Sequence, residues 1–361
     1  MSALTRGTIV WPAVSPREPR GLWLWSRGHD LAWIVGVGAF VFAALAVPIT
    51  LLVPVSAGAL VTAFMHMAVL CNYPHYAATY QIIARERHKA PGSFRWLVWS
   101  SPIAALAVAL GVAWPWLIGP IVRLYLTWSA YHYAAQHFGI ASMYQARAER
   151  PLAPRTKRAL QAAFVAGAVA MMLFLNTKGG LGVPDAFGVA YGAPGMWQLP
   201  AQLYPLAVAF GLASLVLWGV AEKLARASSG AGLVFPARAL VLTNFAWFVL
   251  PYLRVPGHDT PWIGATVGVW LPFAIPFFHC TQYLGVTGFR ARTTGAVKPA
   301  YWFAILVALG LALFEGLRLL PPLTGRVGEA EALLLVPAVL NLHHFFIDGL
   351  IWKRARRPVT A

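Results

Sequence analysis

The chain has 361 residues, of which 59% are hydrophobic and only 11% charged, and its formal net charge is +17. A soluble domain carries about 25% charged residues, so this composition excludes a soluble globular domain, a disordered chain and a collagen-like one. Apolar runs near the ~20 residues that cross a bilayer core about 30 Å thick recur along the chain, and the sequence reads as an all-α, polytopic membrane helical bundle.

Residues 1–30 contain four Arg, and no small-residue cleavage site follows the first apolar run. They read as a cytoplasmic leader rather than a cleaved signal, with an interfacial stretch at Gly21-Leu-Trp-Leu-Trp-Ser26. Ten spans follow, at 31–53, 57–83, 97–112, 116–143, 159–175, 203–221, 237–253, 262–288, 300–319 and 331–352. Residues 31–352 thus form one transmembrane domain, and 353–361 a basic cytoplasmic tail. In the second span Pro74 removes a backbone donor and kinks the helix near residue 70. The fourth span carries Arg123 in its outer half. The outer loop 176–202, rich in Gly and Pro, reads as a connector. Glu315 and Arg318, at i,i+3 near the end of the ninth span, pair with each other. Cys71 and Cys280 sit in apolar stretches and form no CxxC motif.

The charge distribution gives the direction of the spans. With a cytoplasmic N-terminus, the inside segments hold 23 of the 28 Lys and Arg and the outside segments four. That asymmetry is the positive-inside pattern, and it places both termini in the cytoplasm. The net charge therefore reads as membrane topology, with no nucleic-acid partner. One faint internal echo relates Gln136-His-Phe-Gly-Ile-Ala141 to Gln282-Tyr-Leu-Gly-Val-Thr287.

Seven of the ten histidines lie within spans: His66, His75, His132, His137, His279, His343 and His344. A polar side chain in hydrocarbon costs free energy unless it faces the bundle interior and finds a partner. All seven are on spans two, four, eight and ten, which run in the same direction. His75 and His137 each precede the first cytoplasmic base by 10 residues, His279 by 11, and His343 and His344 by 10 and 9. At 1.5 Å per residue this is about 15 Å from the inner boundary on four helices.

Other polar groups share these faces at helical spacing. Asn72 stands three residues before His75, Gln136 four after His132, Gln282 three after His279, and Asp348 four after His344. At 100° per residue His132 and His137 diverge by about 140°, so only one of them faces a given ion. A ring of imidazoles with one carboxylate suits iron, with copper, zinc or haem as further options. In this reading His75, His132, His137, His279, His343, His344 and Asp348 are the ligands. Asn72, Gln136, Gln282 and His66 orient them from behind. Tyr133 and Tyr283, beside candidate ligands, are the candidate catalytic side chains. Two other readings compete: a proton or ion pathway, and polar packing between helices.

The segments Asn72-Tyr-Pro-His75, His132-Tyr-Ala-Ala-Gln-His137, Phe278-His-Cys-Thr-Gln-Tyr283 and His343-His-Phe-Phe-Ile-Asp348 carry a loose resemblance to membrane non-haem iron enzymes. The fatty-acid desaturase and hydroxylase superfamily uses HxxxH and HxxHH boxes; this chain has His343-His344 but neither complete box. The architecture is more similar to the Brp/Blh carotene dioxygenases, polytopic bacterial proteins whose iron is held by histidines from separate helices. No catalytic residue is carried over from them. The resemblance implies oxygen-dependent chemistry on a lipophilic substrate. The expectation is an integral-membrane metal-dependent oxidoreductase in a bacterial inner membrane, with lipid around it and a separate electron donor. A b-type haem electron carrier and a proton-coupled transporter are the alternatives.

Overall fold

A computed structural model describes residues 21–38, 67–88, 91–177, 197–254, 264–293 and 298–354. His66, the first predicted span beyond residue 38 and residues 178–196 of the outer loop lie outside the described residues. The principal helices among the described residues are α1 (Tyr73–Arg85), α2 (Pro91–Ala113), α3 (Ile118–Arg147), α4 (Pro154–Asn176), α5 (Tyr204–Ser229), α6 (Phe235–Phe248), α7 (Gly264–Thr293), α8 (Pro299–Leu311) and α9 (Glu329–Arg354). Extended pairing among them is limited to one bridge, Thr177 to Leu199.

Among the described residues, five helical segments are long and apolar enough to cross a membrane: Pro91–Ala113, Pro154–Asn176, Ala201–Ser229, Pro299–Thr324 and Glu331–Gly349. Apolar runs locate the helices but not their ends. The span expected to stop at 221 continues as helix to Ser229 and ends on Gly230, whose φ of 71° supplies the left-handed cap. The span expected to reach 253 leaves helical geometry after Phe248 and tightens into a turn at Leu250–Tyr252 around Pro251. Pro74 does not break its helix. The turn before it, Ala68–Asn72, widens into a π turn, and α1 starts at Tyr73, which is how a helix accommodates a missing donor.

The chain divides into two compact units, and the changeovers fall inside α3 and α7. The first comprises Ala68–Tyr125 and Thr287–Ala361. There α1 packs on α8 and α9, and α9 also packs on α2. Tyr73, Tyr76, Phe314, Val336 and Leu340 form one apolar cluster in it, and Ile83 and Ile347 another, with Phe94 and Leu97 against it. Gly310 lets α8 approach the α1 backbone: a Cβ there would lie 2.6 Å from the Tyr73 carbonyl carbon. Glu86 and the buried Arg290 form an ion pair. Burial pushes the Arg290 guanidinium down to about 10. Glu315 pairs with Arg318 at 2.8 Å, as their spacing predicts, and also accepts a 2.6 Å bond from the Tyr73 hydroxyl. The outer face of α2 exposes Trp96, Trp99, Ile103 and Leu106, an apolar stripe suited to lipid.

The second unit comprises Pro19–Met67 and Leu126–Val286. Here α4 lies along α5, and α6 packs on both. The buried positions include Ala163, Ala166, Gly167 and Ala170 on α4 and Ala207, Gly211, Ser214, Ala221 and Ala225 on α5. Such small residues let helices approach closely where lipid removes most of the hydrophobic drive to associate.

The leader is tied into this unit. The fully buried Asp30 carboxylate accepts from the backbone amides of Leu24 (2.5 Å) and Trp25 (3.1 Å) and from the Tyr144 hydroxyl (2.8 Å). Arg147 donates to the carbonyls of Gly21, Leu22 and Trp23, and the Trp25 indole donates to the Gly285 carbonyl. Burial first, and then the Asp30 carboxylate, hold the Tyr144 phenol far above its ordinary range.

Candidate metal centre

Among the described residues, each unit holds one pair of buried histidine rings in edge-to-face contact. In the first unit, His75 comes from α1 and His344 from α9, both with no exposed surface. Their ring centroids are 4.6 Å apart at an interplanar angle of 64°, and they belong to a buried histidine group able to hold a metal ion. The Tyr76 ring lies 4.3 Å from that of His344 and 5.1 Å from that of His75. The Tyr76 hydroxyl donates to Asn341 Oδ1, and Asn341 Nδ2 donates back to the Pro337 carbonyl at 2.6 Å. Asp348, one turn beyond His344, is 3% exposed.

In the second unit, His132 comes from α3 and His279 from α7, at 5% and 2% exposure. Their centroids are 4.8 Å apart at 70°. The Tyr133 ring lies 4.3 Å from that of His279. Gln136 Nε2 donates to the His279 carbonyl at 2.9 Å and to Gln282 Oε1 at 3.2 Å. Gln136 therefore braces the α7 backbone at His279 and the Gln282 side chain, while Gln282 bonds the imidazole of His137, as the expected support of an imidazole, though not of His279. Tyr283 is buried on α7 directly after Gln282.

Two predicted ligands are set apart from these pairs. Both His343 ring nitrogens face hydroxyls, Nδ1 at 2.9 Å from Tyr80 and Nε2 at 2.8 Å from Ser100. That chain joins α9 to α1 and α2 and occupies the nitrogens a metal would need. His137 Nδ1 is 3.3 Å from Asn244 Oδ1, and its ring lies 5.1 Å from Trp247 and stacks on Phe248 at 6.0 Å. The divergence of about 140° expected along α3 thus resolves in favour of His132 as the partner of His279. Asn72 closes the π turn ahead of α1. Asn341, Asn244, Tyr76 and Tyr80 were not among the predicted site residues. The signal for the first two was a lone amide in an apolar span, with Asn341 three residues before His344.

The pair spacing has a chemical meaning. Two imidazoles sharing one ion, with metal–nitrogen bonds of about 2.0–2.1 Å and ring centres ~1.1 Å further out, have centroids about 4.5–5.2 Å apart for angles from square to tetrahedral. Both pairs fall in that interval. Edge-to-face packing of two rings covers the same range, about 4.5–7 Å, so metal content is the observation that separates the two. Comparison of the chain with protein-family models, with curated proteins and with solved structures found no match.

Proposed function

We propose that the protein is an integral-membrane, metal-dependent oxidoreductase whose buried histidine pairs hold non-haem iron and act on a lipophilic substrate. The observation that carries this reading is the burial and spacing of the pairs: four imidazoles, each at most 5% exposed, in two couples at 4.6 and 4.8 Å. His75, His344, His132 and His279 would hold the metal, with Asp348 as the carboxylate. An ion in that setting supplies Lewis-acid or redox chemistry. The chain's own residues supply the rest. Asn341 fixes Tyr76 against His344, Gln136 steadies His279, and the surrounding aromatic rings exclude water.

The spacing supports non-haem metal over haem. Two histidines ligating haem sit on opposite faces of the iron, which puts their ring centres about 6.4 Å apart with iron–nitrogen bonds of ~2.0–2.1 Å. Within each unit the pair is too close for that. Burial of the pairs in a chain whose described residues include five helices apolar enough to cross a membrane suits a substrate that arrives through lipid: a fatty acyl chain, sterol, quinone or carotenoid. Oxygenase, desaturase and hydroxylase chemistry all fit, with electrons supplied by a separate partner. The charge asymmetry supports ten spans with both termini inside, in a bacterial inner membrane.

Elemental analysis and a visible spectrum of detergent-purified protein, beside a His279→Ala/His344→Ala double variant, test the proposal. Iron bound by the wild type and lost by the variant is the expected result. A Soret band, or no metal in either folded protein, would overturn it.

A further inference from the structure

The two histidine pairs are built from a repeated piece of sequence. His75-Tyr76-Ala77-Ala78 on α1 and His132-Tyr133-Ala134-Ala135 on α3 are the same tetrapeptide, 57 residues apart. The chain contains no third His-Tyr dipeptide. In each copy the histidine meets a second histidine from a later helix, His344 on α9 in one unit and His279 on α7 in the other.

The geometry repeats as well. The imidazoles stand edge to face at 4.6 Å and 64° in the first unit and at 4.8 Å and 70° in the second. In both, the tyrosine that follows the first histidine has its ring 4.3 Å from the ring of the second. Each copy also keeps its own polar support: Asn341 holds the Tyr76 hydroxyl, and Gln136 holds the His279 carbonyl. Two distances and the angle between the imidazoles agree across different helices, with different supports behind them, while the tyrosine rings are tilted differently against the second imidazole, at 68° and 40°. Edge-to-face packing allows about 4.5–7 Å, and both pairs stand at the short end of that range, inside the interval that one shared ion sets.

From this repetition we infer that the chain binds two metal ions, one on each histidine pair: the first on His75 and His344, the second on His132 and His279. The chemical class is a divalent first-row transition ion, because imidazole suits iron, copper, zinc and nickel. Tyr76 and Tyr133 are positioning residues, each with its ring 4.3 Å from the second imidazole of its pair. The inference rests on the metal reading proposed above and adds to it the number and partition of the ions.

The test is a count of ions on the full chain in detergent. Metal-free protein is titrated anaerobically with ferrous iron, excess is removed, and bound iron is measured against protein quantified by amino-acid analysis. Two ions per wild-type chain are expected. One is expected to remain in His75→Ala/His344→Ala, and one in His132→Ala/His279→Ala. Size exclusion and helical circular dichroism check that both variants fold. If a variant fails to fold, the wild-type count alone still decides. One ion per wild-type chain would overturn the inference while the metal reading stands; no bound iron would overturn both.

Discussion

Replacing Gly310 by alanine tests whether close helix packing in the first unit sets the histidine geometry. The new Cβ would lie 2.6 Å from the Tyr73 carbonyl carbon and 2.7 Å from its oxygen. Non-bonded carbon atoms are comfortable at about 3.5–4.0 Å, so the gap must open by roughly 1 Å. The neighbour is backbone, and no rotamer change relieves the contact. Overpacking of this kind costs about 1–3 kcal/mol. Tyr73 is two residues before His75, and its ring stacks on Phe314 at 4.4 Å. A shift of roughly 1 Å there exceeds the ~0.5 Å tolerance of a preorganised site. Gly310→Ala should therefore lower the thermal midpoint in detergent and weaken iron binding by the His75–His344 pair, leaving the His132–His279 pair intact. Gly219→Ala is the control, because nothing lies within 4 Å of the Cβ it would add. A Gly310→Ala protein as stable as the control, with full metal content, would refute the reasoning.

Other consequences follow from the same structure. Asp30→Ala removes the acceptor of three bonds, from Leu24, Trp25 and Tyr144; with about 1.5–3 kcal/mol for a hydrogen bond to a charged group, it should destabilise the chain strongly and make the leader sensitive to limited proteolysis, whereas Tyr144→Phe should cost the equivalent of one such bond. Because the Tyr144 pKa is raised by folding, its contribution is fully present below the ordinary phenol range of about 10 and fades only as pH climbs above it; a melting midpoint falling with pH below that range would contradict this. Glu86→Gln leaves Arg290, at 7% exposure, without its carboxylate, and should lower stability by about 3 kcal/mol, measurable by thermal unfolding. His343→Ala should leave metal content unchanged, since its nitrogens face Tyr80 and Ser100; loss of iron in that variant would return it to the ligand set.

Much of this arrangement was legible in the residues, for identifiable reasons. Helices with an apolar core announce themselves by composition, which is why Pro91–Ala113 and Pro154–Asn176 were found. Their ends were not, because helices here continue into polar residues, as at Glu222–Ser229, or stop at a proline turn, as before Pro251. Spacing along one helix resolved local pairs correctly: Glu315 with Arg318, and the opposed directions of His132 and His137. It could not show which helices meet. That His75 faces His344, and His132 faces His279, depends on packing between segments far apart in sequence. The same limit hid Tyr80 and Ser100 as partners of His343. Asp30 was missed for another reason: a lone carboxylate at the start of a predicted span looks like solvated leader, and only the fold brings Tyr144 to it. The tetrapeptide His-Tyr-Ala-Ala was visible all along, but its importance emerges only once both copies are seen to build the same ring geometry.

The most direct test of the central claim is X-ray absorption at the metal edge of the full-length protein as purified in detergent. The account predicts an iron edge, a nitrogen and oxygen shell at about 2.0–2.2 Å, and the outer-shell scattering of imidazole rings. A porphyrin pattern, a sulfur-dominated shell near ~2.3 Å, or no metal edge in a folded protein would contradict it.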